Sequence, residues 1–169
     1  YCSAQSKDVS NRFFSMPSQR NRVIGYQLYK FDVKGFLHWG YNFWYKRLSQ
    51  GEVDPFSETD AGGFFPSGDS YIVYPDKDGK PLLSLRLKVF YDGLQDMRAL
   101  KLAESLVGRE RTLEVLEKGI EKIRFDKYPH SDEWQLECRE RINSLCMSAI
   151  KTIKSNNKEN NYDHANAII

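Results

Sequence analysis

Five aromatic rings fall within ten residues of this chain, and their order restricts the folds that can hold them. The run over 35–44 begins with an apolar stretch at 36–39 that suits a buried strand. It continues with Tyr41, Asn42 and Trp44, whose side chains have polar tips. Such rings bury large apolar areas while their N–H and O–H groups still form hydrogen bonds. The run is therefore typical of a strand that leads to a binding surface for a ligand with apolar faces and hydroxyl edges, such as a sugar.

The order of elements around this run indicates an α/β protein. The first two residues read as the end of a strand, and apolar residues recur at helical spacing over 17–31, which predicts a helix there. A polar break at 32–35 separates this helix from the predicted strand at 36–39. A strand, a helix and a second strand in this order are typical of parallel strands joined by a crossover helix.

A long irregular segment follows the aromatic run. Residues 44–70 carry Gly, Pro and Asp at intervals, while 71–74 read as a short strand and 75–79 as a turn. Loops of this length are often lids or binding walls, and a solvated insertion is the alternative. We therefore expect this loop either to border a ligand site or to be a plain surface insertion.

Three helices are predicted in the rest of the chain. Apolar residues at helical spacing place them at about 84–107, 113–123 and 134–153. Ser131 is the expected N-cap of the third helix, because a serine side chain accepts a hydrogen bond from the first turn. From residue 155 onward Asn, Lys and Asp dominate, which predicts a disordered tail over 155–169.

Charge and composition exclude several partners. The formal net charge is only +2, from 25 basic and 23 acidic residues, so neither nucleic acid nor an anionic membrane is expected to bind. Cys138 and Cys146 lie too far apart on one predicted helix to form a disulfide and are expected in the core. The chain begins with Tyr1, and we expect it to be part of a longer protein. The histidines share no ligand spacing, so no metal or cofactor is expected: His38, His130 and His164.

Five motifs in one order resemble a known bacterial family. They are the aromatic run at 35–44 and the segments 54–56, 68–75, 84–87 and 91–96. Their order and spacing resemble the C-terminal part of the catalytic domain of glycoside hydrolase family 123 and its uncharacterised bacterial relatives. The resemblance covers residues 1–106, and the last two helices match less clearly.

The resemblance implies the C-terminal portion of a (β/α)8 barrel followed by C-terminal helices. Residues 1–106 would hold the final strands, the lid loop and the first C-terminal helix, 107–154 the helices that pack on the barrel, and 155–169 the disordered tail. The upstream half of the barrel is the expected protein partner. Ligand sites in such barrels lie at the C-terminal ends of the strands. The resemblance alone favours a periplasmic or secreted location.

The activity that the resemblance implies is removal of terminal β-linked N-acetylgalactosamine from a glycan. In the family, the sugar's acetamido oxygen attacks the anomeric carbon, and an adjacent Asp-Glu pair orients that group and protonates the leaving oxygen. The adjacent pair in this chain, Asp132-Glu133, begins a predicted C-terminal helix, so no catalytic residue is assigned and the pair is expected upstream. The chain by itself would then be inactive. A noncatalytic carbohydrate-binding protein on the same scaffold is the alternative.

The candidate sugar contacts follow from this resemblance. The rings are expected to contact the sugar, Asn42 either binds the ligand or caps a turn, and Asp69 either binds a hydroxyl or completes an ordinary turn. The predicted set is Trp39, Tyr41, Asn42, Trp44 and Asp69.

Three further expectations concern charged residues. His38 is expected to be structural and not an acid or base, since no carboxylate stands near it in the sequence. Asp92 and Asp96 share a helix face, where an ion pair with Arg86 or another element would relieve their repulsion. Arg22 is expected to be solvated or paired at the surface.

Overall fold

The computed structural model describes residues 7–166, with side chains as far as residue 156. This part of the chain is mixed α/β and mostly helical, with one small antiparallel sheet. None of its helices is long and apolar enough to cross a bilayer. In chain order the elements are α1 (Ser18–Arg22), α2 (Ile24–Lys30), a 3₁₀ turn (Arg47–Ser49), β1 (Val73–Pro75), β2 (Pro81–Leu83), α3 (Leu85–Val107), α4 (Arg109–Leu116) and α5 (Asp132–Asn166).

The helix predicted over 17–31 is present as two consecutive helices, α1 and α2, that meet at Val23. There the Tyr26 N–H donates to the Val23 carbonyl at 3.0 Å, three residues back, which tightens the turn between them. Every residue of α2 from Ile24 to Tyr29 is buried. A helix that is buried all round must be enclosed by its neighbours, and α2 is therefore a central element of the fold.

Helices α2 and α3 touch backbone to backbone at a pair of glycines. A Cβ atom added to Gly25 would lie 1.7 Å from the Gly93 carbonyl oxygen, and one added to Gly93 would lie 2.5 Å from the Arg22 carbonyl oxygen. Real side chains do not fit at such distances, and the obstacle is backbone that cannot move aside. Glycine at both positions is therefore a condition for this crossing.

A buried carboxylate joins three helices beside this crossing. Asp96 of α3 is fully buried and accepts hydrogen bonds from Arg22 of α1 at 2.6 and 3.0 Å and from Arg139 of α5 at 2.7 Å. Asp96 is thus paired with arginines of other elements, which is one of the two arrangements expected for it. Arg22 is paired with this buried carboxylate and does not have the surface role expected for it. A buried charge requires such partners.

The main core lies between α2, α3, α4 and α5. The apolar residues of these helices recur at the predicted spacing. Helix α4, however, ends at Leu116 and not at residue 123. The chain folds back there because the Glu117 carboxylate accepts the Ile123 N–H at 2.7 Å and pairs with Lys30. Both described cysteines are free and buried, as predicted. The core residues are Val23, Tyr26, Tyr29, Leu100, Ala103, Leu116, Ile123, Tyr128, Cys138, Ile142 and Cys146.

The long helices begin where their capping residues predict. The Ser84 hydroxyl accepts the Leu87 N–H at 3.2 Å at the start of α3, and Ser131 accepts the Trp134 N–H at 3.2 Å at the start of α5. Helix α5 continues to Asn166, through most of the range expected to be a disordered tail, and residues 167–169 lie outside the described part. A formed helix gains one hydrogen bond for each residue it adds, which composition alone does not reveal.

The strand predictions are met only in part. Strand β1 overlaps the strand predicted at 71–74 and pairs with β2 in antiparallel register, Val73 opposite Leu83. Residues 33–38 carry no regular secondary structure, so the strand predicted at 36–39 is not present as a ladder. An apolar run predicts burial, whereas a strand requires a neighbour with matching hydrogen bonds. The stub at residues 1–2 lies outside the described part.

We expect Gly25→Ala to destabilise the fold, although alanine is the better helix former by ~1 kcal/mol. The added methyl must push the α2 and α3 backbones apart, and overpacking of this kind costs ~1–3 kcal/mol or more. Urea denaturation measures the free energy of unfolding. Gly35→Ala is the control because a Cβ there meets nothing within 4 Å. Equal stabilities for the two variants would contradict the backbone contact.

Candidate functional site

The second half of the aromatic run lies against the segment at 68–73. The Ile72 N–H donates to the Tyr41 carbonyl at 2.9 Å, and the Phe43 N–H donates to the Ser70 carbonyl at 3.0 Å. Asn42 and Tyr71 lie opposite each other in this antiparallel pair. They form a non-hydrogen-bonded pair, in which the two side chains are closest. Two motifs that lie apart in the sequence thus form one surface.

Gly40 allows this close approach. A Cβ atom at position 40 would lie 2.1 Å from the Asp69 carbonyl oxygen and 2.7 Å from the Ser70 carbonyl carbon. Only glycine permits this backbone contact. The contact places Trp39, which precedes Gly40 in the chain, beside Asp69.

Trp39 is held by a buried carboxylate. Its indole N–H donates to Asp69 Oδ2 at 3.0 Å, and Asp69 is fully buried. The half-buried Trp39 ring also contacts the rings of Phe65 at 4.7 Å and Phe43 at 5.5 Å between centroids. The buried Asp69 carboxylate is therefore a hydrogen-bond partner of Trp39. A direct contact between Asp69 and a sugar hydroxyl stays a prediction.

The predicted sugar contacts have different neighbours in the folded chain. Trp39 and Tyr45 both contact the Phe43 ring, at 5.5 and 5.7 Å between centroids. Asn42 lies instead beside Tyr71. The remaining Trp44 is half-buried, and its indole N–H donates to the Val73 carbonyl at 3.0 Å. Tyr41 and Asn42 are exposed.

A second row of rings was not recognised in the sequence. Tyr71 contacts Phe14 edge-on at 6.2 Å and Tyr74 at 5.2 Å, and Tyr74 stacks on Phe56 at 5.0 Å. The available signal was the set of aromatic residues at positions 14, 56, 71 and 74, of which only Phe56 lies within the loop at 44–70. Their spacing carries no periodicity, so only the folded chain shows which of them meet.

A family model matches this arrangement of motifs. Residues 1–103 match the model of the glycoside hydrolase 123 catalytic domain, which is more than half of the chain. The chain belongs to glycoside hydrolase family 123. The family match includes both segments of the candidate site and most of α3, while α4 and α5 lie beyond it. No curated protein matched the chain in a separate comparison.

Arg86 holds the loops of the candidate site to the start of α3. Its Nη1 donates to the carbonyls of Arg12 and Gly68, and its Nη2 donates to the carbonyl of Tyr71 at 2.7 Å. The guanidinium carbon also lies 4.5 Å from the Phe14 ring centroid. Burial lowers the pKa of this guanidinium, but arginine keeps its charge in proteins. Arg86 therefore joins the loops before and after the aromatic run.

His38 is uncharged at neutral pH. Burial, followed by the charges of Arg12 and Arg86, lowers the pKa of its imidazole to about 3. Its Nδ1 accepts the Gly40 N–H at 3.0 Å, which supports the turn between Trp39 and the paired segment. This geometry agrees with a structural role. Among the described residues, no cluster of His, Cys, Asp or Glu could hold a metal ion.

A double-mutant cycle tests the Trp39–Asp69 bond. We expect Trp39→Phe and Asp69→Asn to couple by ~1.5–3 kcal/mol in the free energy of unfolding, the range for a hydrogen bond to a charged group. Trp44→Phe provides the control cycle with Asp69→Asn, because the Trp44 N–H donates to Val73 and not to Asp69. Strict additivity in both cycles would contradict the bond.

The pKa of His38 predicts a pH-dependent stability. The unfolded imidazole titrates near pH ~6.5 and the folded one near pH 3, so the unfolded state binds the proton first as the pH falls. The contribution of His38 to the free energy of unfolding is fully present above pH ~6.5. It is lost as the pH falls towards 3, by up to ~1.4 kcal/mol per pH unit.

Denaturation at pH 7 and pH 5 checks this effect. His38→Asn serves as the comparison, since its amide oxygen can accept the Gly40 N–H but does not titrate. We expect the wild type to lose about 1–2 kcal/mol more than the variant between these pH values. The same loss in both proteins would exclude His38 as the source.

Proposed function

We propose that this chain forms one wall of the sugar site in a retaining β-N-acetylgalactosaminidase. Membership of glycoside hydrolase family 123 supports the reaction class. The observation that carries the proposal is the Trp39 ring, which is half-buried and immobilised by a fully buried Asp69. A ring held in this way stacks on the apolar face of a pyranose without losing side-chain entropy on binding.

Each candidate residue has a distinct part in this proposal. Tyr41 is 45% exposed and Asn42 is exposed, so their polar groups are accessible to sugar hydroxyls. Trp44 contributes its ring, since its N–H already donates to Val73. Asp69 acts through Trp39 by fixing the orientation of the indole. The wall thus combines apolar faces with a few hydrogen-bonding groups, as small-molecule sites do.

The proposed reaction is substrate-assisted. The acetamido carbonyl oxygen of the bound sugar attacks the anomeric carbon from the face opposite the leaving oxygen, which receives a proton from a carboxylic acid. Water then attacks the anomeric carbon from the face that the leaving oxygen occupied and gives a proton to the same carboxylate. The bond to the acetamido oxygen breaks in this step, so the anomeric configuration is retained. The carboxylate pair is proposed to come from upstream of Tyr1, and the residues of this chain bind the ring and exclude water from it.

The complete domain is proposed to be a (β/α)8 barrel in which this chain supplies the final elements. The aromatic run would then end at the C-terminal face of the barrel, where ligands bind in this fold. The proposed partners are a glycan with a terminal amino sugar and the upstream half of the barrel. Neither nucleic acid nor a membrane is proposed as a partner.

A noncatalytic carbohydrate-binding protein is the second candidate. The observation that favours it is the position of Asp132 and Glu133, which are both exposed at the start of α5 and lie beyond the family match. An aromatic wall without an acid at the glycosidic oxygen would bind a sugar and leave the bond intact.

Sugar binding and turnover separate these candidates in the full-length protein. We expect N-acetylgalactosamine to change the tryptophan fluorescence and a 4-nitrophenyl β-N-acetylgalactosaminide to be hydrolysed. Trp39→Ala should weaken sugar binding about tenfold or more, which corresponds to ~1.4 kcal/mol. Trp39→Phe should retain most of the affinity because it keeps an aromatic face.

Trp134→Phe is the control for the fluorescence signal. Trp134 contacts Tyr26 edge-on at 5.5 Å in the helical part and should not affect sugar binding. Binding without hydrolysis would favour the noncatalytic candidate. A full-length protein that neither binds nor hydrolyses the sugar would contradict both candidates.

A further inference from the structure

The second row of rings ends in an exposed phenylalanine. Tyr71 is almost fully buried, Tyr74 is partly exposed, and Phe56 is 62% exposed. The Tyr74 and Phe56 rings are 5.0 Å apart between centroids and inclined by 30°, which makes them a stacked pair. One side of this pair is therefore open at the protein surface.

Hydrogen bonds hold the turn that carries Phe56, although its ring is exposed. The Phe56 N–H donates to Asp54 Oδ1 at 3.0 Å, and the Glu58 N–H donates to the Asp54 carbonyl at 2.8 Å, which closes the turn that carries the ring. The Tyr71 hydroxyl donates to the Pro55 carbonyl at 2.8 Å and fastens this turn to the other segment. A ring held by its backbone in this way is preorganised for binding.

This row continues from the proposed sugar site. Asn42 lies opposite Tyr71 in the antiparallel pair, and the row proceeds from Tyr71 through Tyr74 to Phe56. A ligand that contacts the exposed Asn42 amide can therefore extend over the Tyr74–Phe56 pair. Pyranose rings in a glycan follow one another at about the size of an aromatic ring, which suits successive platforms.

We propose that Tyr74 and Phe56 form a second sugar subsite, which binds the ring on the leaving-group side of the scissile bond. The inference rests on the proposed function and narrows its substrate to a glycan of at least two rings. The occupant is a pyranose with its apolar face against Phe56. The loop at 44–70 is then a binding wall and not a plain insertion.

Calorimetric titration of the full-length protein with two probes tests this subsite. The probes are methyl β-N-acetylgalactosaminide and a disaccharide in which the same sugar is β-linked to galactose. We expect the disaccharide to bind more tightly, and Phe56→Ala to weaken it about tenfold while the methyl glycoside is unaffected. Phe56→Tyr should restore the disaccharide affinity, because it keeps the ring.

Phe64→Ala is the matched control. Phe64 lies in the same loop and is 56% exposed, but its ring contacts the Arg47 guanidinium, 5.0 Å from the ring centroid. The control should leave both affinities unchanged, and thermal melting verifies that each variant is folded.

Several results would overturn the subsite. These are equal affinities for the two probes in the wild type, equal effects of Phe56→Ala on both probes, or an equal loss of disaccharide binding in Phe64→Ala. In each case the methyl glycoside still binds, and the proposed function survives. Failure of the methyl glycoside to bind would instead reject the proposed function together with the subsite. Capture of a protein through Phe56, with no sugar dependence, would also count against it.

Discussion

The backbone contact between Gly25 and Gly93 sets the arrangement of the helices. It lets α2 lie against α3 without intervening side chains, and α2 is buried along almost its whole length. The buried Asp96 then draws α1 and α5 onto the same helix through Arg22 and Arg139. A carboxylate buried without these partners would be costly, so the crossing and the ion cluster reinforce each other. The helices beyond the family match are for this reason part of the same packed unit.

The crossing also positions the candidate site, although the two lie in different parts of the structure. The Asn21 amide donates to the Arg86 carbonyl at 2.8 Å, which ties α1 to the start of α3. The Arg86 guanidinium in turn binds the carbonyls of the loops on either side of the aromatic run. The candidate site has little regular secondary structure of its own. Its rigidity comes from one arginine, close backbone contacts at Gly40 and the buried bond between Trp39 and Asp69.

Local signals predicted the helices well and the strands poorly. Serine caps and apolar periodicity located the starts of α3 and α5, because both signals act within a few residues. The end of α4 was missed, since it depends on Glu117 reaching Ile123 and Lys30. The strand expected at 36–39 was not observed as a ladder, because strand pairing requires a distant partner that an apolar run does not specify. The partners of Asp96 could not be named from the sequence for the same reason.

Residue types and their spacing were enough to predict the family, the order of the helices and the importance of the aromatic run. These properties depend on residue identity and short spacings, which are complete in the amino-acid sequence. The folded chain was needed to show that Asp69 accepts the Trp39 N–H, that Asn42 lies opposite Tyr71, and that Phe56 ends a row of rings. Those contacts join residues up to 30 positions apart in irregular segments. Without periodicity, their meeting depends on packing and backbone turns, so no local pattern reveals it.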